Sequence, residues 1–134
     1  MAILGLLLAL ASPLLLLPIE KFLPYPHFIE EAVKLVIVVM MTKAEKEVKK
    51  DLAVWVFMAG FLFAMSESIL YLTNIFALGN YMLFPKRLIL TGGLHTGTVM
   101  LMYLLGRKSY LGLGLGFIGA VLIHYFFNLW VVRL

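Results

Sequence analysis

The chain has 134 residues, of which 63% are hydrophobic and only 13% charged, with a mean hydropathy of +1.05. A water-soluble domain of this size needs far more polar surface, so composition excludes one and makes lipid the expected solvent. The length fits a single domain, the absence of cysteine excludes disulfides and thiol chemistry, and the net charge of +4 sits between apolar runs, where topology and not nucleic acid explains it.

Five apolar segments are predicted, in an all-α bundle of about five transmembrane helices within one domain, 1–134. The first runs over 2–18. Ala9-Leu10-Ala11 resembles a signal-peptide cleavage site, but no Lys or Arg precedes the apolar run and Pro13 follows closely, so the segment reads as a retained helix. The second covers 27–42 and continues into a charged hairpin from Lys43 to Asp51, where Glu45 and Lys49 stand four apart as helical ion-pair partners. The third covers 52–73, the fourth 88–105 and the fifth 110–132. The connection from Asn74 to Pro85 is apolar and aromatic, which suits the membrane interface, and Gly79-Asn80 supplies a turn. Five spans put the termini on opposite sides. Six basic residues (Lys43, Lys46, Lys49, Lys50, Arg107, Lys108) then face four (Lys21, Lys86, Arg87, Arg133), so a cytoplasmic N-terminus in a cell membrane is expected.

The informative residues are those that lipid disfavours. Glu30, Glu31 and Lys34 lie on the second helix, Glu67 on the third, His95 on the fourth, and His124 with Asn128 on the fifth. A charge at mid-bilayer costs ~2.5–3.5 kcal/mol even on the lenient insertion scale, and persists when it faces a bundle interior or a water-filled cavity. Counted from the less basic side, Glu31, Glu67, His95 and His124 all fall roughly 6–12 Å below one surface at ~1.5 Å per residue. Chain order does not force this agreement; a shared site reachable from one side does. Faces agree with depth: Gly112, Gly116, Ala120, His124 and Asn128 recur every four residues, and Thr91, His95 and Thr98 share a stripe. Taken singly, each residue also has a structural reading. Glu30 and Lys34 form an ion pair one turn apart, His95 and Asn128 bond between helices, and the glycines pack.

Glu30-Glu31-x-x-Lys34, Phe63-x-x-x-Glu67, His95 and His124-x-x-x-Asn128 occur in that order, one motif per helix. This order resembles the PrsW family of membrane proteases, relatives of the CAAX prenyl proteases, over roughly residues 27 to 130. The resemblance implies intramembrane peptide-bond hydrolysis by a water molecule without a covalent acyl-enzyme, with a single-span membrane protein as substrate. The CAAX branch has E-E-x-x-x-R and a histidine where this chain has Lys34 and Glu67, which argues against prenylated substrates and against copying that branch's proton transfers unaltered. On this reading Glu30 or Glu31 polarises the water with Glu67, and Lys34 keeps the partner glutamate ionised. His124 and Asn128 present donors to the oxyanion, and His95 joins them or orients the water. No cofactor is expected. Zinc held by His95, His124 and a glutamate is the mechanistic variant, disfavoured because there is no H-E-x-x-H pair and Asn is a poor ligand. Lipid and a protein substrate are the expected partners. A proton-coupled transporter or a non-catalytic membrane subunit are the rival functions.

Overall fold

The computed structural model describes Ala2–Lys43 and Asp51–Val131. The body of the charged hairpin, with Glu45 and Lys49, lies outside the described residues, as does the expected helix end at Val132. The described residues are all-helical: α1 (Ala2–Glu20), α2 (Pro26–Lys43), α3 (Leu52–Leu70), α4 (Leu72–Ala77), α5 (Leu83–Gly106) and α6 (Tyr110–Val131). Four of these, α1, α3, α5 and α6, are long and apolar enough to cross a membrane. α2 has comparable length but carries Glu30, Glu31, Lys34 and Lys43 in 18 residues.

α2 is the hub. It packs against α1, α3, α5 and α6, while α1 leans on α3, α3 on α5, and α5 on α6. Its buried residues His27, Glu31, Lys34, Val38 and Met41 alternate steps of four and three, the repeat that keeps one helical stripe inward. That stripe changes character along its length. Ile37, Val38 and Met41 join Val56, Ala59, Met102 and Ala120 in the apolar core, whereas the turns before them bury His27, Glu31 and Lys34. The polar residues therefore occupy one end of the same seam that packs the protein.

Two glycines let the backbones close around this seam. A Cβ on Gly60 would stand 2.6 Å from Thr96 Cα, one turn of α3 before Ala64 and two before Glu67. A Cβ on Gly116 would stand 2.9 Å from Met102 Cα. Both contacts are backbone against side-chain position, with no flexible chain end to yield, so small residues here set how near α3 and α6 approach α5.

Two boundaries differ from expectation. α3 stops at Leu70, where Tyr71 interrupts the ladder for one residue before α4 resumes it, so the predicted 52–73 helix is two pieces. α5 starts at Leu83 and not at 88, because Pro85 occupies its first turn, where a missing N–H leaves no intrahelical bond unmade. The connection expected from Asn74 to Pro85 thus contracts to a turn at Leu78–Met82. Gly79 supplies its left-handed residue at φ 67°.

Candidate functional site

The polar end of the seam is a single hydrogen-bonded chain drawn from four helices. On α2, Lys34 Nζ donates to Glu31 Oε1 at 2.6 Å and lies 2.5 Å from His95 Nδ1 on α5. His95 Nε2 lies 2.5 Å from Glu67 Oε2 on α3, and Glu67 Oε1 accepts from the Arg87 guanidinium at 2.8 Å. At the other end, His124 Nδ1 on α6 meets Glu31 Oε1 at 2.7 Å. Glu31, Lys34 and His95 are 0–1% exposed, so these bonds stand in for water at the atoms that make them.

The donors fix the tautomers. An ammonium can only donate, so His95 accepts at Nδ1 from Lys34 and carries its proton on Nε2, which donates to Glu67. His124 donates from Nδ1 to the Glu31 carboxylate, which leaves its Nε2 as an acceptor. That Nε2 lies 3.9 Å from Glu30 Oε2, too far for a direct hydrogen bond. Among the described residues Glu30 Oε2, Glu31 Oε2 and Arg87 Nε are buried without a hydrogen-bond partner.

The two adjacent glutamates therefore differ. Lys34 pairs with Glu31 and not with Glu30, a correction to the expected Glu30–Lys34 pair. The reason is the seam: Glu31 and Lys34 both lie on the inward stripe of α2, while Glu30 is one position off it, 100° round the helix, and 12% exposed at the cavity.

A cavity opens from this network at the end of the bundle formed by the α3 and α6 C-termini and the start of α5. One lobe, about 580 Å³, lies among α4, α5 and α6. It is lined by Glu67, Arg87, His95, His124 and Asn128 below apolar residues such as Ile75, Leu78 and Leu90. A second lobe, about 730 Å³, opens toward α1 and α2 past Glu20, Lys21 and Glu30. Glu67, Tyr71, Arg87, His124 and Asn128 line both lobes. The first helix contributes Leu17 and Glu20 to its wall. Asn128 is exposed, one turn beyond His124.

Glu30, Glu31, Glu67, His95 and His124 thus meet in one place, with Asn128 at its mouth and Lys34 inside the network. Sequence reasoning missed Arg87, Glu20 and His27. Arg87 was counted only as a topology charge, yet it lies two turns before His95 on the face shared with Thr91, whose hydroxyl bonds Arg87 O at 2.8 Å. Its guanidinium also lies flat over the Tyr71 ring at 3.6 Å. Burial, then the nearby Glu67 carboxylate, push the Tyr71 hydroxyl above its ordinary range, so it stays neutral. His27 packs its ring 5.9 Å from that of His124.

Glu30, His95 and His124 each offer an atom within 4.8 Å of the others, a spread that one metal ion could gather. Both His95 nitrogens are already engaged, however, and the Lys34 ammonium stands against the ring. A metal here must displace Lys34 or Glu67. Extensive chelation is accordingly expected to leave the melting temperature unchanged; a melting temperature that falls on chelation and recovers with zinc would reverse that expectation.

No family model, curated protein or solved structure matches this chain. What fold and site define is a class: an all-helical protein, with four helices long and apolar enough to cross a membrane, whose helices enclose a hydrogen-bonded cluster of glutamate, histidine and lysine beside an open cavity.

Proposed function

We propose that this protein is an intramembrane peptidase of the PrsW type, hydrolysing a peptide bond of a single-span membrane protein with a glutamate-activated water. The observation that carries the reading is the Glu30–His124 pair. Two acceptors, the Glu30 carboxylate and His124 Nε2, face each other across 3.9 Å at the cavity wall. A water between them would give one hydrogen to each and turn a lone pair outward, the arrangement a nucleophile requires.

In the proposed reaction the water oxygen attacks the carbonyl carbon while its proton passes to Glu30. Asn128, whose amide can donate, stabilises the oxyanion, and Glu30 then returns the proton to the leaving amine as the C–N bond breaks. The products are a carboxylic acid, which keeps the second water proton until it is passed on to give carboxylate and ammonium, and an amine, with no covalent enzyme intermediate. Glu31 is reserved for structure, holding Lys34 and His124. Glu67 holds His95. This divides roles that the sequence left open between Glu30 and Glu31, and moves His124 from oxyanion donor to water acceptor.

In this reading α2 is the fifth span, tolerated because its charges face the bundle and not lipid. The cavity opens on the less basic, extracytoplasmic side. A cysteine introduced at position 79 is expected to be labelled from outside intact cells and one at position 108 protected; the reverse pattern would invert the orientation.

Proton transport is the second reading, since the chain from Arg87 to His124 resembles a relay. Against it, both ends of the chain reach the same cavity, and Ile37, Val38, Val56, Met102 and Ala120 close the seam beyond with apolar side chains. Cleavage of a single-span reporter by the purified protein, with no proton flux into liposomes, decides for hydrolysis. Flux without cleavage decides for transport.

A further inference from the structure

Arg87 departs from an ordinary rule at the start of α5. An arginine near the end of a span ordinarily snorkels toward water. Here the side chain, 28% exposed, turns inward instead, laying its plane on Tyr71 and giving NH2 to Glu67. Glu67 is thereby held at both oxygens, by Arg87 at Oε1 and by His95 at Oε2. A tie between α3 and α5 does not by itself require this, because Gly60 against Thr96 and the Ser68–Thr91 hydroxyl pair at 3.3 Å already join those helices.

We propose that Arg87, braced flat by Tyr71, is a positioning residue that holds Glu67 as the acceptor for His95 and so fixes His95 with its proton on Nε2. The consequence follows along the chain. Without the guanidinium the Glu67 carboxylate is held at one oxygen only and can rotate away from His95 Nε2. A ring proton left there without its acceptor exchanges to Nδ1, where it meets a Lys34 ammonium that can only donate. Two donors face each other, Lys34 withdraws, and Glu31 loses the partner that sets it against His124. Arg87 thus acts at a distance on the Nε2 acceptor that faces Glu30. Arginine suits the task because its planar fork stacks and donates together, which lysine cannot do.

The catalytic consequence rests on the hydrolase reading, but the tautomer does not. Nitrogen NMR of histidine-labelled full-length protein in lipid nanodiscs, with His95 assigned from His95→Gln, reads the tautomer directly. Wild type is expected to give one protonated and one bare ring nitrogen for His95, and Arg87→Met an averaged pair. Arg87→Lys should recover part of the separation and Tyr71→Leu lose part of it. With reporter substrate, Arg87→Met should lower kcat about 100-fold at little-changed KM, the size expected when a reacting group is displaced by about 1 Å. His95 signals identical in wild type and Arg87→Met would overturn the positioning role. Altered His95 signals in a protein that cleaves nothing would leave the role standing and remove the hydrolase reading alone.

Discussion

Glu30→Gln is expected to abolish cleavage of a single-span reporter while the purified protein melts as wild type does. The substitution keeps the shape of the side chain and removes only its ability to accept and return a proton, and a general base of this kind contributes typically 10²–10⁴-fold. The fold has little to lose. Glu30 lies off the inward stripe of α2, is 12% exposed, and its Oε2 meets no partner among the described residues. Glu31→Gln should behave in the opposite way. Glu31 is fully buried, and its Oε1 accepts from both Lys34 and His124, so loss of the carboxylate leaves a cation beside a neutral amide inside the bundle. Its melting temperature should fall, and activity with it. Comparable turnover by Glu30→Gln and wild type would sink the proposed mechanism; the reversed pattern, with Glu31→Gln stable but inactive, would transfer the base to Glu31.

Lys34→Met is expected to be the most destabilising of the polar substitutions, by about 3–5 kcal/mol, the usual cost of removing one partner of a buried ion pair. Lys34 is 1% exposed and donates to two residues at once, Glu31 on its own helix and His95 on α5. Methionine fills much of the same volume and satisfies neither. Removing both charges should be milder, because replacing a buried pair by apolar residues of similar size is often neutral. Glu31→Leu with Lys34→Met should therefore recover much of the loss in a detergent unfolding titration, without recovering activity. A single Lys34→Met variant that unfolds with the wild type would mean that the network does not support the bundle.

Much of this molecule follows from sequence alone. Continuous apolar runs can be stable only where lipid replaces water and each backbone bonds within its own helix, so the class and the four long apolar helices are written in composition. Residues that lipid excludes had to turn inward, which marked Glu30, Glu31, Glu67, His95 and His124 before any coordinates. Periodicity likewise placed His124 on the face of Gly116 and Ala120.

What sequence did not determine is which groups meet. Glu30 and Glu31 are chemically identical neighbours, and only the packing of α2 as the hub, with one residue on the stripe and the other 100° away, separates a buried anchor from a cavity-facing carboxylate. Arg87 looked like a surface charge because Pro85 was taken as a boundary; with Pro85 inside the first turn, α5 extends outward and brings Arg87 over Glu67 and Tyr71. The tautomers of His95 and His124 depend on partners 61 and 93 positions away in the chain. Helical periodicity reports the direction of a side chain about its own axis, but the distance between side chains of different helices is set by how closely backbones approach at residues such as Gly60 and Gly116, and that is decided only in the assembled bundle.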